Sequence, residues 1–321
     1  MLRWTDLAQV PEGFGPSVVT IGNFDGVHRG HRQVLSRMVD DARAAGAQAV
    51  VVTFDPHPSR VHRPDAAPEL ITGLADRLDL LAETGVDAVL VQHYTLEFAQ
   101  QSPEEFVRTY LVDGLHASTV VVGRDVRFGW GNAGDLGTMI ELGTRHGFAV
   151  EVIEDAHLAA HEGEARRWSS TWVRELLARG DVTAAAEILA RPHRVRGMVV
   201  RGAARGRALG FPTANLAADS EGFVPADGVY AGWLTRVAGD GVSDEGRMPA
   251  AISIGTNPTF DGVTRTVEAY VLDRTDLDLY DDVVVLEFVD HLRPTLRFDS
   301  IEALIETMHD DVDRARKILV P

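Results

Sequence analysis

The stretch SVVTIGNFDGVHRGH, residues 17–31, decides the fold of the first half of this 321-residue chain. A short β-branched run leads directly into a turn with glycine at positions 22, 26 and 30, and a helical pattern of apolar residues continues to Gly46. Glycine commonly ends a helix. A strand that passes through a glycine-rich turn into a helix is typical of an α/β domain, and the N-terminus of such a helix favours an anion.

The first half as a whole alternates short apolar runs with helical patterns. The runs occupy residues 18–21, 50–54, 86–91, 120–123 and 149–153. Strands that are joined by helices lie parallel, so we predict a Rossmann-like α/β domain, a doubly wound parallel sheet with helices on both faces. Ser102 and Glu105 form a capping box that predicts a further helix start.

The pattern changes after residue 190. Strand-like apolar runs, joined by Gly, Asn and Pro turns, occupy residues 195–200, 229–237, 250–254, 266–272 and 283–289. This spacing predicts an all-β antiparallel barrel, closed by a C-terminal helix that Asp299 would cap. We predict two domains, residues 1–186 and 187–321.

Composition limits the class of protein. The chain is 45% hydrophobic and 25% charged, which is a globular composition, and no apolar run reaches the roughly 18 residues of a membrane span. The first ten residues lack a secretory pattern, so we expect a cytoplasmic protein that does not enter a membrane. The formal net charge of −17 argues against nucleic acid as a partner. Small molecules are the expected partners, and a transient homo-oligomer is left open.

The residue types also limit the chemistry. The chain has no cysteine, which excludes thiolate nucleophiles and Cys-based zinc sites, and Lys317 is its only lysine. The pattern GxxxxGK[ST] is absent, so phosphates would have to be held by arginine, histidine, backbone amides or a metal ion. His28 and His31 stand three residues apart at the entrance of the first helix, where both imidazoles can face one phosphate group. The alternative is an ordinary strand-to-helix turn with two surface histidines.

Three later segments of the first half are also candidates for ligand binding. They are FDPHP at 54–58, GRDVRFG at 123–129 and SSTWVR at 169–174. The first follows a predicted strand, and ligands of open α/β sheets bind outside such carboxyl ends. Taken singly, the three could be a stiff turn, a core phenylalanine with its flanks, and a helix cap.

In the second half, candidate binding residues are concentrated in the segment GMVVRGAARGRALGFPTANL at 197–216. Its glycines can form an anion-binding nest, and the oxygens of Thr213 and Asn215 suit Mg²⁺, a hard cation. A glycine-rich barrel corner with a satisfied turn hydroxyl is the simpler alternative.

Together these motifs carry a resemblance to a known family. GNFDGVHRGH, FDPHP, GRDVRFG and SSTWVR, in this order, resemble the adenylyltransferase module of bacterial bifunctional riboflavin kinase/FMN adenylyltransferases. The segment 197–216 resembles their riboflavin kinase module, together with PADGVYAGW (225–233), SIGTNPTF (253–260), VEAYVLD (267–273) and LEFVDHLRP (286–294). The resemblance extends from about residue 18 to the final helix.

The resemblance implies two reactions, phosphorylation of riboflavin to FMN and adenylylation of FMN to FAD, with ATP and Mg²⁺ in both. It implies that His28, His31 and Arg174 act in adenylylation and Glu268 in phosphorylation. The implied ATP-binding residues are Gly22, Phe24, Asp25, Gly26, Gly30, Asp125, Ser170, Thr171, Gly197, Gly202, Gly206, Arg207 and Gly210. The implied flavin-binding residues are Pro56, Pro58, Phe128 and Asn257, and the implied metal ligands are Thr213 and Asn215.

The chain departs from the family pattern at three positions. Asp125 stands where Asn is frequent, His62 where some relatives carry an aromatic residue, and Asp281 where Gly is usual. Two alternatives remain open, namely transfer of a nucleotide to another phosphate-bearing acceptor and a flavin-sensing protein without catalysis. The FDPHP segment and Phe128 disfavour the first, and the full set of implied catalytic residues disfavours the second.

Overall fold

The computed structural model describes residues 1–153, 158–161, 164–202, 206, 209–238, 241–259 and 262–320. The chain divides into two compact units. The first unit comprises residues 1–69 and 74–169, and the second comprises residues 70–73 and 170–321. This division places the chain from residue 170 onward with the second unit, whereas the sequence predicts the boundary at 186/187, which stays a prediction.

A six-stranded parallel sheet forms the centre of the first unit, as predicted. Its strands lie in the order β1-β4-β3-β2-β5-β6. They are β1 (Leu2–Trp4), β2 (Ser17–Ile21), β3 (Gln48–Asp55), β4 (Ala88–His93), β5 (Ala117–Gly123) and β6 (Ala149–Ile153). Strand β1 was not expected, because its three residues carry no recognisable pattern.

Alternation along the central strands builds a core on each face of the sheet. Val18 and Val51 belong to one cluster with Leu35 of the first helix. Val19 and Val50 belong to the other cluster, which includes aromatic residues from later in the chain. Because both faces are covered, the strands are apolar on both sides, as parallel strands in α/β proteins are.

The helices of the first unit lie between these strands in the chain. The α-helices are α1 (Arg29–Ala45), α2 (Pro58–His62), α3 (Leu74–Ala82), α4 (Pro103–Phe106) and α5 (Leu136–His146), and a π-helix (Val107–Gly114) continues α4. Gly46 ends α1 with φ +65°, and Ser102 and Glu105 form both hydrogen bonds of the predicted capping box before α4. A hairpin of β7 (Leu158–His161) and β8 (Glu164–Arg167) completes this unit.

The strand order changes direction between β2 and β5. From β2 the chain proceeds to β3 and β4 on one side, whereas β5 and β6 lie on the other side. The loops after two such strands diverge and leave a crevice at their carboxyl ends, where open α/β sheets bind ligands. The two loops here begin at Gly22 and at Arg124, and they carry two of the predicted motifs.

The second unit is a closed six-stranded barrel, and its antiparallel pairing confirms the predicted fold class. The strands follow each other around the barrel in the order β10-β13-β12-β11-β14-β9. They are β9 (His193–Val200), β10 (Ala214–Leu216), β11 (Gly228–Ala238), β12 (Gly241–Thr259), β13 (Gly262–Val271) and β14 (Val283–Arg293). Closing a sheet into a barrel pairs its first and last strands with each other.

In the described part of the second unit, three helices have defined bounds. They are α6 (Ser170–Ala178), α7 (Val182–Leu189) and the C-terminal α8 (Ile301–Leu319). Helix α8 packs Val312 and Ala315 into a cluster with Phe211 and Val229 of the barrel. Its N-cap is Ser300, whose hydroxyl accepts from the Ala303 amide at 3.2 Å, so the prediction of Asp299 as the cap was wrong by one residue. None of the helices in the described ranges has the length and apolar character that crossing a membrane requires.

Candidate active sites

The turn after β2 is held in an unusual backbone conformation. Phe24 has φ +49°, Gly26 +82° and Val27 +40°, all in the left-handed region that residues with a Cβ atom rarely adopt. The Phe24 ring is buried, and a Cβ atom added to Gly22 would lie 3.1 Å from it. Gly22 therefore allows the ring to fold back under the turn. The predicted residue Asp25 is also buried.

His28 and His31 come together at the N-terminus of α1, as the sequence predicts. Nδ1 of His28 accepts a hydrogen bond from the His31 amide at 3.4 Å and caps the helix. The two imidazole rings stack with centroids 3.7 Å apart. A Cβ atom on Gly30 would lie 3.2 Å from the His28 ring, so glycine at this position leaves room for the stack.

Both imidazoles are uncharged in the free protein at neutral pH. Burial, followed by the nearby positive charge of Arg167, lowers the pKa of His28 to about 4. Burial, then His28 and Arg167, lowers the pKa of His31 well below its usual value. Because Nδ1 of His28 is an acceptor, the neutral ring carries its proton on Nε2 and is a hydrogen-bond donor there. An anion bound against these rings would favour their protonated forms.

Arg167 is a site residue that the sequence analysis did not identify. It ends β8, and its guanidinium lies 3.4 Å from the carboxylate of Asp125, the predicted ATP-binding residue in the loop after β5. Arg29, at the start of α1, lies over the Trp168 ring at 6.0 Å. Of the two arginines, Arg167 brings positive charge to both histidines. The only sequence signal for Arg167 was its position just before the SSTWVR segment.

A cavity of about 290 Å³ opens beside this turn. Gly22, Pro58 and Phe128 line it, and their predicted contacts with nucleotide and flavin stay predictions. Phe54, the first residue of the FDPHP segment, also lines it, and the aromatic lining residues that the sequence did not identify are Tyr94, Phe98 and Phe106. A cavity with aromatic walls suits a flat ring system. Pro56 is not among its described lining residues, and its assignment stays a prediction.

His62 contacts one wall of this cavity. Its Nε2 lies 2.9 Å from the hydroxyl of Tyr94, and the Tyr94 ring packs edge-on against Phe54 and Phe98. The His62 imidazole therefore supports an aromatic residue of the cavity through a hydrogen bond.

Helix α6 carries the remaining predicted residues of the adenylylation site. Ser170 and Thr171 are its first two residues, and Arg174 lies one turn further on. The helix belongs to the second unit. The roles of these three residues therefore stay predictions.

The second unit brings together Thr213, Asn215 and Glu268. The Thr213 hydroxyl donates to Oε2 of Glu268 at 3.0 Å, and Nδ2 of Asn215 lies 3.3 Å from the same hydroxyl oxygen. Asn215 of β10 is the register partner of Glu268 of β13, which explains their proximity. A Cβ atom on Gly202 would collide with the Asn215 amide, so the glycine allows this loop to approach.

Two cavities meet at Thr213. The larger has a volume of about 560 Å³, and its lining includes Gly210, Val271 and Tyr280. The other, of about 290 Å³, is lined by Glu268 together with residues of α8 and the segment before it. Thr213 lines both. A group held in one cavity can thus meet a group held in the other beside the Thr213 hydroxyl.

Of the predicted nucleotide-binding glycines in the second unit, Gly206 and Gly210 line the cavities, whereas Gly197 packs between strands. Gly210 has φ +89° and lines the larger cavity. Gly206 accepts from the Phe211 amide at 2.8 Å and lines the smaller one. A Cβ atom on Gly197 would lie 2.9 Å from the Leu216 side chain, so packing between strands requires this glycine. A nucleotide contact of Gly197 stays a prediction.

Three further positions that the sequence singles out are Arg207, Asn257 and Asp281. Arg207 lies outside the described residues, and for Asn257 the structure describes the backbone, which lies in β12. Asp281 has φ +65°, a conformation that glycine adopts without strain, and its amide donates to the Val199 carbonyl at 3.0 Å. A glycine at position 281 would therefore fit this turn without strain.

The donor set around Thr213 suits a hard cation. It offers a hydroxyl, an amide and the carboxylate of Glu268, all with the oxygen atoms that Mg²⁺ prefers. Within the described ranges, no three His, Asp or Glu side chains are grouped to hold a metal ion by themselves. A magnesium ion here would therefore need further oxygen ligands from water and from a phosphate-bearing substrate.

Comparison with known proteins matches each half of the chain to a known family. The family model of FAD synthetase matches residues 11–167, and that of riboflavin kinase matches residues 189–319. Bifunctional riboflavin kinase/FMN adenylyltransferases are similar over nearly the full length. The protein from Pseudomonas fluorescens is 38% identical over 95% of this chain and 93% of its own, and that of Escherichia coli K12 is 36% identical over 97% and 95%.

A solved structure resembles the whole chain. It is described as a macrolide-efflux protein from Streptococcus pneumoniae, is 27% identical, and superposes with a TM-score of 0.82 over 98% of both chains. The Listeria monocytogenes bifunctional enzyme is 34% identical over 98% of this chain and 93% of its own. The chain therefore belongs to the family of bifunctional riboflavin kinase/FMN adenylyltransferases, the transferases of flavin cofactor biosynthesis.

Proposed function

We propose that this chain makes FMN from riboflavin and ATP in its second unit, and FAD from FMN and ATP in its first. The observation that carries the proposal is the position of Thr213 and Glu268 where two cavities meet. We assign the larger cavity to a nucleotide and the smaller to a flavin. The stacked pair of His28 and His31 beside an aromatic cavity supports the second reaction. All substrates are small molecules, and we place both reactions in the cytoplasm.

In the kinase reaction the acceptor is the terminal hydroxyl of the ribityl chain, which is neutral at pH 7. The Glu268 carboxylate takes its proton as the oxygen attacks the γ-phosphorus of ATP. The new O–P bond forms while the bond from that phosphorus to the β,γ-bridging oxygen breaks, and ADP leaves. The Thr213 hydroxyl donates to Glu268 and thereby orients the carboxylate.

The polar side chains around Thr213 would hold Mg²⁺ on the ATP phosphates. Oxygen atoms of Thr213 and Asn215 are the donors we assign, with phosphate and water completing the set. The ion supplies positive charge that stabilises the leaving diphosphate. The loops at Gly202, Gly206 and Gly210 contribute backbone amides to the nucleotide, and Arg207 contributes its charge.

Adenylylation needs no base. The FMN phosphate is already ionised at neutral pH, and one of its oxygens attacks the α-phosphorus of ATP while pyrophosphate leaves with the bridging oxygen. His28 and His31 donate hydrogen bonds to the phosphates at the N-terminus of α1 and gain positive charge as the anion binds. Arg174, Ser170 and Thr171 support the phosphates in this proposal.

The flavin of the adenylylation step would lie in the aromatic cavity. Phe128 and Pro58 form part of its wall, and Gly22 joins the cavity to the phosphate turn. Pro56 and Asp125 complete the site on the flavin side and the nucleotide side respectively. Asn257, in the second unit, contacts the flavin of the kinase reaction.

Product analysis tests the proposal directly. The purified chain is incubated with riboflavin, ATP and Mg²⁺, and the flavins are separated by chromatography while pyrophosphate is assayed. We expect FMN to form first and FAD with one pyrophosphate per FAD to follow. Formation of neither flavin would refute the proposal, and FMN alone would refute its first-unit part. Omission of Mg²⁺ is expected to stop both reactions.

A further inference from the structure

The smaller cavity of the second unit is only partly formed by the barrel. Val229 and Tyr270 line it from strands β11 and β13. The residues that line it from beyond β14 are Thr295, Leu296, Phe298, Leu304, Met308, Asp311 and Val312. The segment 294–312 is therefore one wall of the cavity, and that wall keeps its place only if the segment is held against the barrel.

A buried ion pair links this segment to the barrel, in addition to the packing of Val312. Arg293, the last residue of β14, donates from Nε to Oδ1 of Asp311 at 2.9 Å and from Nη2 to Oδ2 at 2.7 Å. The pair is bidentate, and its side chains are only 15% and 6% exposed. Such pairs are shorter and stronger than single neutral hydrogen bonds and fix the relative orientation of the two groups.

The same guanidinium contacts the segment at two further points. Nη1 of Arg293 donates to the Pro294 carbonyl at 3.1 Å, and its central carbon lies 5.8 Å from the centre of the Phe298 ring. Arg293 thus touches the start of the segment, its aromatic residue and helix α8. A rotation of α8 that broke the pair would also move Met308, which lines the cavity.

The wall presents apolar surface towards a ligand. Leu296 is 47% exposed although it lines the cavity, and Phe298, Leu304 and Met308 stand beside it. Glu268 lines the same cavity. A flat apolar ring lying against this wall would cover Leu296 and leave a hydroxyl-bearing chain to extend towards the carboxylate.

We infer that Arg293 and Asp311 are positioning residues for the flavin of the kinase reaction, an inference that rests on the proposed function. Their ion pair holds the segment 294–312 as the wall on which the isoalloxazine ring lies, so that the ribityl hydroxyl reaches Glu268. The nucleotide lies in the other cavity, which neither residue lines. Loss of the pair therefore weakens flavin binding and leaves nucleotide binding unchanged.

The test uses Asp311→Asn in the full chain, which keeps the size of the side chain and removes its charge. We expect the KM for riboflavin to rise about tenfold or more, as the loss of one hydrogen bond to a charged group would produce. We expect the KM for ATP to stay the same, and supplied FMN to be adenylylated at the normal rate. Riboflavin binding, followed without ATP through quenching of its fluorescence, should weaken by the same factor as KM rises.

Matched variants separate positioning from a general loss of structure. Asp313→Asn, two residues along α8, removes an exposed carboxylate that pairs with Arg316 and is expected to change neither KM. Asp311→Glu keeps the carboxylate and should recover part of the riboflavin affinity. If Asp311→Asn does not fold, Arg293→Lys keeps the charge, loses the two-pronged geometry and is expected to give the same selective rise.

The outcomes distinguish the inference from the function on which it rests. Failure of the unmodified chain to bind riboflavin would refute the proposed kinase function. If the unmodified chain binds riboflavin and a folded Asp311→Asn variant binds it equally well, the inference is overturned. Equal rises in the KM for riboflavin and for ATP would show general loosening of the barrel and would overturn it too.

Discussion

The Thr213 hydroxyl donates a hydrogen bond of 3.0 Å to the Glu268 carboxylate, from the residue just before β10 to the adjacent strand β13. Thr213 lines both cavities of the second unit, whereas Glu268 lines only the smaller of the two. A carboxylate that is fixed beside the acceptor cavity and next to the nucleotide cavity is where a phosphoryl acceptor would lose its proton. The first prediction follows from this contact.

We expect Glu268→Gln to lower the kcat for FMN formation by between about 10² and 10⁴, the usual contribution of a general base. The amide keeps the shape of the side chain and can still accept from Thr213, so folding is preserved. FAD formation from supplied FMN should continue at the normal rate, because His28 and His31 belong to the other unit. Chromatography of the flavins measures both reactions.

Glu302→Gln is the matched control, since Glu302 is exposed in the first turn of α8. It should leave both rates unchanged. Kinase turnover that is undiminished in Glu268→Gln would show that another group removes the proton.

The second prediction concerns His28, which caps α1 and is also assigned to phosphate binding. Asparagine is among the best N-cap residues, so His28→Asn replaces the ring without loss of the cap. We expect FAD formation to fall by between about 10² and 10³, the loss that follows removal of one transition-state donor. The thermal midpoint should stay close to that of the unmodified chain, and FMN formation should not change.

His116→Asn serves as the control for His28→Asn, because His116 is exposed and has φ +51°, which asparagine tolerates. It should affect neither reaction. A His28→Asn variant that makes FAD at the normal rate would remove the imidazole from the reaction.

The sequence predicted the features that depend on neighbours in the chain. β-branched runs separated by helical patterns identified the parallel sheet, and Gly46 and the Ser102 capping box lie at the helix ends where they were expected. Strands β1 and β10 have three residues each, too few to show a periodicity. Strand β1 was therefore missed, and the segment of β10 was identified only as part of a glycine-rich motif.

Features that depend on distant contacts were harder to predict. Arg167 lowers the pKa of His28 although 138 positions separate them in the chain, and no local pattern marks such a pair. Tyr94 and Phe98 line the same cavity as Phe128 because the loops that carry them meet outside the sheet. A resemblance to a family identifies motifs. The residues outside the motifs that line the same cavity are identified only from the three-dimensional fold.

The third prediction concerns Glu151 on β6. Burial, a hydrogen bond that the protonated Glu151 carboxyl donates to Asp41, and repulsion by the Asp41 charge raise the pKa of Glu151, and Arg37 only partly opposes them. The folded chain therefore holds this proton more tightly than the unfolded chain does. The resulting stability is complete below the unfolded pKa of about 4.3 and is lost as pH rises through the folded value.

We accordingly expect Glu151→Gln to raise the thermal midpoint at pH 7.5, because the amide removes the repulsion and can still donate to Asp41. The gain should disappear near pH 4, where the native carboxyl is protonated as well. Scanning calorimetry of both proteins at the two pH values measures this. Glu141→Gln, which removes an exposed partner of Arg145, should give no gain. A lower midpoint for Glu151→Gln at pH 7.5 would contradict the repulsion.

The fourth prediction concerns His193, which is fully buried at the start of β9. Its Nε2 donates to the Phe223 carbonyl at 2.6 Å, and its ring stacks on Phe288. Burial lowers the pKa of His193 to about 3, against the opposing effect of the Phe223 carbonyl. In the unfolded chain the pKa is about 6.5, so below that pH the unfolded state binds the additional proton.

The contribution of His193 to stability is therefore complete above pH 6.5 and falls by up to about 1.4 kcal/mol per pH unit below it. Gln can donate to the same carbonyl from Nε2 and takes up no proton. We expect His193→Gln to be less stable than the unmodified chain at pH 7.5, and the difference to shrink as the pH falls to 4.5. His28 also has a lowered pKa, but it is present in both proteins and cancels in the comparison.

Urea unfolding at a series of pH values measures this difference, with the exposed His309→Gln as the control whose curve should run parallel to that of the unmodified chain. The result for His193→Gln depends on whether the unfolded chain binds a proton at His193 that the folded chain does not bind. If the two curves for His193→Gln and the unmodified chain ran parallel from pH 7.5 to 4.5, the buried ring would have the same pKa in both states. The interpretation that folding keeps the His193 ring neutral, with its hydrogen bond to the Phe223 carbonyl, would then be wrong.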